Sequence, residues 1–136
     1  MKVFLDANVI FSAAQTGSLA RLLVESVATH VQVVVHPVVW EEAARNLHMK
    51  RPAWVAGLEE LRSMTTLSAA LSKCPSGLLP SKDEPVLGAA IAAHCDYLVT
   101  GDRTHFGALY GHTVHGVMIV SPRQFAEQMR ARGWLG

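Results

Sequence analysis

The chain carries 11 acidic residues, and two of them close short apolar runs. Val3-Phe4-Leu5 meets Asp6 at once, and Tyr97-Leu98-Val99 is followed by Thr100-Gly101-Asp102. An ionised carboxylate resists desolvation, so an apolar run that ends on aspartate, twice, asks for a partner. Taken singly, each aspartate has an ordinary alternative as a helix cap or turn residue. Two further acids can reach the same place. Asp83 opens an alanine-rich stretch, where its alternative role is a helix cap with Ser81 and Glu84 as a competing capping box. Glu42 lies one turn into a helix after the run Val31–Val35, and Glu41 points about 100° away around that helix. Only one of the pair can face the rim. Four hard oxygen donors, with no cysteine pair and no close histidine pair, suit Mg2+ or Mn2+ better than zinc. Carboxylates at close range raise one another's pKa, and one or two bound cations would remove that repulsion. The chemistry expected of Asp6, Glu42, Asp83 and Asp102 is metal-assisted phosphodiester hydrolysis.

The elements that position these acids are legible as alternating patterns. Val3–Leu5, Val31–Val35, Tyr97–Val99 and Val117–Val120 are β-branched or aromatic runs of strand length that read as buried strands. Between them, Ser18 caps a helix through Leu19 and Val27, Pro37 opens one carrying Val39, Ala43 and Leu47, and Pro52 opens another with Trp54, Leu58 and Leu61. Ala89, Ala90, Ala92 and Ala93 follow Asp83 in a strong helix former. Ser121-Pro122-Arg123-Gln124 supplies a cap, a first-turn proline and a capping-box glutamine, and Gly133 stops the last helix. Thr65 to Pro80 is ambiguous, either a strand at Thr66 to Ala70 or the end of a helix, and Lys73 to Ser81 reads as a loop. The order of elements predicts a single domain over residues 1–136, a three-layer α/β sandwich around a central, mostly parallel sheet. In such a sheet ligands bind outside the carboxyl ends of the strands, which puts Asp6 and Asp102 on one rim.

Composition bounds the class of protein. Of the 136 residues, 50% are hydrophobic and 17% charged, with net charge +1. Disorder is excluded by that hydrophobicity, and a phosphate-coating basic protein by that charge. The longest uncharged run, Ser26 to Trp40, is too short for a membrane span, and no leader pattern precedes Asp6. Cys74 and Cys95 have no metal spacing and read as reduced thiols, so a cytoplasmic location is expected. The other polar residues have ordinary roles available. His105 and His112 read as surface or loop histidines. Trp40, Trp54 and Phe106 read as core rather than as stacking platforms for unpaired bases. Arg45, Lys50, Arg51, Arg62 and Arg103 could line an RNA path, but solvated helix faces explain them equally well. Glu25, Glu59, Glu60, Asp96 and Glu127 read as solvated.

The motifs, in order, resemble those of the PIN-domain ribonucleases. Phe4-Leu5-Asp6-Ala7-Asn8-Val9-Ile10 is similar to the family's opening motif. His36-Pro37-Val38-Val39-Trp40-Glu41-Glu42, with Arg45 and Leu47, resembles its second, whose glutamate aligns best with Glu42. Asp83-Glu84-Pro85-Val86-Leu87 resembles the third, and Tyr97-Leu98-Val99-Thr100-Gly101-Asp102 the fourth. Phe106 and Ile119 to Phe125 are similar to the closing strand and helix. The chain departs from the pattern at His36, where the family often has a small hydroxyl residue. The resemblance implies a Mg2+- or Mn2+-dependent endoribonuclease cleaving single-stranded RNA, commonly the toxin of a bacterial toxin–antitoxin pair of the VapC type. It implies Asp6, Glu42, Asp83 and Asp102 as metal ligands and catalytic acids. Asn8 and Thr100 would be the polar groups that orient them.

Two other readings stand beside it. A haloacid-dehalogenase-like phosphatase would use Asp6 as nucleophile, but its signature wants a second aspartate two residues later, and Asn8 stands there. A non-catalytic interaction module would have no use for four acids. A homodimer through an apolar face at Trp54, Leu58 and Leu61 is a further expectation, with a buried core face as the ordinary alternative.

Overall fold

A computed structural model describes residues 1–135. The first strand, β1 (Lys2–Leu5), turns directly into helix α1 (Ala7–Ala13) through Asp6. Helix α2 (Leu19–Val27) follows, capped by Ser18, whose Oγ accepts the Arg21 N–H at 3.1 Å. Next come β2 (Gln32–Val35) and the long α3 (Pro37–Lys50). His36 caps α3, its Nδ1 accepting the Val38 N–H at 3.1 Å. Imidazole thus does here what a small hydroxyl does at a helix start, which accounts for the departure at this position.

Pro52–Trp54 form a single 3-10 turn before α4 (Val55–Arg62), and β3 (Thr65–Leu67) follows. After a long loop come α5 (Glu84–Ala92), β4 (Tyr97–Val99), the one-turn α6 (Arg103–Phe106), the hairpin β5 (Thr113–Val114) and β6 (Val117–Val120), and α7 (Pro122–Ala131). The capping box between Ser121 and Gln124 forms as expected, and Gly133 ends the chain's last helix at φ +76°.

The sheet has the order β3-β2-β1-β4-β6-β5. All neighbours are parallel except β5 and β6. Successive residues of a strand face opposite sides, yet Val33, Val34 and Val35 are all buried, as are Tyr97, Leu98 and Val99. Both faces of the sheet are therefore covered, which makes the α/β sandwich expected for a parallel sheet. Phe4, Leu98 and Ile119 sit at its centre with no exposure.

Three features depart from the sequence reading. Helix α1 intervenes between β1 and α2; it is only seven residues long, too short for a periodic pattern to separate it from its strand. The ambiguous stretch forms an edge strand over Thr65–Leu67, shorter than Thr66 to Ala70 and paired in parallel with β2. The small β5 escaped notice because two residues carry no periodicity.

The topology also fixes where ligands gather. From β1 the chain winds outward through β2 and β3, then returns to β4 on the other side of β1. The switch in direction opens a crevice at the carboxyl ends of β1 and β4.

Candidate active site

Asp6 stands at that crevice and is only 6% exposed. Its backbone N–H donates to Val99 O at 3.1 Å, which continues the ladder between β1 and β4 by one bond. Its carboxylate is held on both oxygens. Oδ1 accepts the Ala7 N–H at 2.8 Å, and Oδ2 accepts from Thr100 Oγ1 at 2.9 Å and from Asn8 Nδ2 at 3.3 Å. Thr100 is itself fully buried at the end of β4, and its hydroxyl oxygen accepts the Asp102 N–H at 3.2 Å. Asn8 Oδ1 accepts the Gly101 N–H at 2.7 Å. Asn8 and Thr100 thus tie the two strand ends together around Asp6. Burial pushes the Asp6 pKa up, against the pull of the Thr100 and Ala7 hydrogen bonds, and the nearby Glu42 and Asp83 charges raise it further.

Asp102 caps α6: its Oδ1 accepts the His105 N–H at 3.1 Å. Asp83 occupies the N-terminal position of α5 but makes no capping bond with its side chain, so the capping alternative does not hold for it. Its Oδ2 is buried and lies 3.1 Å from His105 Nδ1. Glu42 lines the same cleft as Asp6, Asp83 and Asp102, and Glu41 does not.

The cleft has a volume of about 820 Å³. The rest of its lining is mixed: Phe11 and Trp54 meet edge to face at 5.7 Å, the Arg51 guanidinium lies 5.6 Å from the Trp54 ring centre, and Lys50 and Lys82 also line the cleft. Trp54 packs against the core, as expected, and also lines the cleft; Trp40 likewise packs against the core and Phe106 is fully buried.

Other residues differ more from their sequence reading. His105 is no ordinary surface histidine: its Nδ1 lies 2.9 Å from Asp102 Oδ2 and 3.1 Å from Asp83 Oδ2. Its spacing of three residues from Asp102, one helical turn, was the available signal. Tyr110, which no motif pointed to, donates its hydroxyl to Thr100 O at 2.7 Å; burial pushes its pKa up. Glu25 and Glu60, read as solvated, both engage the buried Arg21. Asp96 fixes the start of β1 by accepting the Lys2 N–H at 2.9 Å. His112 is exposed, as expected.

The donor chemistry of the crevice fits a divalent cation. Four carboxylates line one cleft, one of them desolvated and two sharing a single histidine nitrogen. Carboxylates at close range raise one another's pKa, so like charges gathered around a desolvated aspartate mark a place for positive charge.

The comparisons with known proteins agree with this geometry. A family model described as a PIN domain matches residues 2–104. The search of curated proteins gave no match. Among solved structures, the fold is similar to a chain in the crystal structure of VapBC2 from Rickettsia felis bound to a DNA fragment from their promoter. That likeness has a TM-score of 0.63 at 16% identity and covers 89% of this chain and 98% of the other. With its four acidic motifs in order and the family's match extending over most of its length, the chain belongs to the PIN-domain family.

Proposed function

We propose that this protein is a Mg2+- or Mn2+-dependent endoribonuclease that hydrolyses phosphodiester bonds in single-stranded RNA. Asp6, Glu42, Asp83 and Asp102 would hold the metal and act as the catalytic acids. The observation that carries the reading is the gathering of four carboxylates in one cleft, with Asp6 buried and its pKa raised by Glu42 and Asp83 beside it. The chemistry a bound divalent cation supplies is Lewis acidity toward a phosphoryl oxygen and a lowered pKa for a water. The chain's own residues prepare that chemistry. Thr100 and Asn8 hold Asp6 with its Oδ2 fixed. The Asp102 carboxylate is set by the first turn of α6. Lys50, Arg51 and Lys82 bring positive charge to the cleft lining that suits a phosphate backbone, and Trp54 offers an aromatic surface to an unpaired base.

A phosphatase with Asp6 as nucleophile is disfavoured. Both oxygens of Asp6 are engaged by hydrogen bonds, and position 8 is Asn. A purely structural module leaves the like charges around Asp6 unexplained.

The toxin of a toxin–antitoxin pair is the biological role that fits best. Leu19 and Leu22 on α2 and Val38 and Met49 on α3 are exposed apolar residues, which an antitoxin chain or a second copy of this chain would cover. A cytoplasmic site of action follows from two free cysteines, of which Cys95 is buried with its thiol pushed up to about 12. No helix among the described residues is long and apolar enough to cross a membrane.

The test is cleavage of single-stranded RNA across a Mg2+ and Mn2+ titration. Cleavage should require the metal and vanish in Asp6→Asn and Asp102→Asn. Absence of cleavage with either metal, together with no metal binding by calorimetry, would overturn the proposal.

A further inference from the structure

Among the described residues, Asp83, Asp102 and His105 each present one donor atom within 4.8 Å of the others. Histidine is the unexpected member. Its backbone N–H is held by Asp102 Oδ1 at 3.1 Å, and its side chain is 27% exposed. From that anchor Nδ1 reaches both Asp102 Oδ2 at 2.9 Å and Asp83 Oδ2 at 3.1 Å. A single N–H at Nδ1 can serve only one of these two acceptors. Asp83 Oδ2 is buried and lies 3.1 Å from the same nitrogen, so the ring's one proton at Nδ1 cannot satisfy both carboxylates of the cluster.

Coordination would satisfy it. Neighbouring donors around an octahedral cation at about 2.1 Å lie roughly 3.0 Å apart. The two nitrogen-to-carboxylate distances have that spacing. With its proton on Nε2, the ring turns a lone pair on Nδ1 toward the same point as the two carboxylates.

We propose that His105 Nδ1 is a direct ligand of the cation held by Asp83 and Asp102, which makes the site a mixed carboxylate–imidazole centre selective for Mn2+ over Mg2+. This rests on the metal-dependent reading above and adds to it a ligand that the acidic motifs do not contain. The selectivity follows from donor type. Imidazole suits transition metals, whereas Mg2+ favours carboxylate, carbonyl and water oxygens.

Pulsed electron paramagnetic resonance on the full chain loaded with Mn2+ tests this without any activity measurement. The wild type should show nitrogen-14 modulation of the Mn2+ signal, altered by nitrogen-15 labelling of histidine and lost in His105→Gln with Mn2+ still bound. By calorimetry, His105→Gln should weaken Mn2+ binding at least about tenfold, since even indirect partners of a metal ligand cost that much. Mg2+ binding should change far less. If His105→Gln fails to fold, the labelled wild type still decides. Bound Mn2+ with no histidine nitrogen coupling overturns the assignment of His105 and leaves the four-acid site standing. A chain that binds no Mn2+ at all overturns the metal-dependent reading itself, and His105 falls with it.

Discussion

Asp6 and Arg21 are both buried charges in this fold, and their surroundings are opposite in sign. Arg21, on α2, is 1% exposed. Its Nη1 donates to Ala13 O at 3.3 Å and Gly57 O at 3.1 Å, its Nη2 to Glu60 Oε2 at 2.7 Å, and its Nε lies 2.8 Å from Glu25 Oε1. One guanidinium thereby joins α2 to the end of α1 and to α4. The close approach needs Gly57, where a Cβ would run into the Ala14 carbonyl. Asp6 also accepts hydrogen bonds, but the charges nearest it, Glu42 and Asp83, share its sign and raise its pKa. The first region answers its charge from within and is structure. The second concentrates like charge at the sheet's switch point, which on the proposed reading a cation from outside completes.

Breaking the internally satisfied region should cost the most. Arg21→Met leaves two backbone carbonyls without their donor and parts three helices. We expect a loss of about 3 to 5 kcal/mol in unfolding free energy by chemical denaturation, the range for removing one partner of a buried ion pair. The thermal shift on adding Mn2+ should survive in whatever fraction remains folded. A loss below about 1 kcal/mol, the scale of an exposed pair, would erase the contrast between the regions.

At the acidic region the same operation should have the opposite sign. Asp83→Asn removes a like charge beside Asp6. Without divalent ions its stability should stay level or rise by up to about 1 kcal/mol, the scale of one pKa unit relieved on a neighbour. The rise in melting temperature that wild type gains from Mn2+ should disappear, because ligand-linked stability requires the ligand to bind. A clear loss of stability in metal-free Asp83→Asn would mean that the carboxylate is structural.

The contrast was half visible in the sequence. Apolar runs that stop at Asp6 and just before Asp102 announce a parallel sheet with acids at its edge, because chain order and strand direction are local properties. Helical geometry showed that only one of Glu41 and Glu42 could face the rim, the motif resemblance favoured Glu42, and Glu42 is the one that lines the cleft. Arg21 was invisible: its partners lie 36 and 39 residues away on α4, and nothing local marks a guanidinium that will be buried. Trp54 was half visible. Helical spacing marks it as an inward residue, and it packs against the core, but spacing does not show that its ring also walls a cleft.

A smaller effect probes how tightly the site is held. Thr100→Val keeps the shape of the side chain and removes the hydroxyl that donates to Asp6 Oδ2 and accepts from Asp102 N–H. We expect a loss of about 1 to 2 kcal/mol in stability at neutral pH. RNA cleavage should fall about tenfold or more, as for other groups that orient metal ligands. Cleavage at the wild-type rate would mean that Asp6 needs no such support.

The smallest effect is a slope against pH, and its sign separates the two regions. The Asp6 pKa is raised above its ordinary 3.8 in the folded chain, with burial the largest cause. Between 3.8 and the raised value, the folded state keeps a proton that the unfolded state has released. Stability from this group is therefore fully present below pH 3.8, falls as pH climbs through the raised pKa and then levels off. With divalent ions chelated, the unfolding free energy of Asp6→Asn relative to wild type should increase across that window and become flat above it. Thr100→Val should extend the window upward, because the lost hydrogen bond had favoured the ionised form. Mn2+ should shrink the window by favouring the same form. A wild-type-minus-Asn difference that runs the other way with pH would mean that Asp6, like Arg21, is neutralised from within.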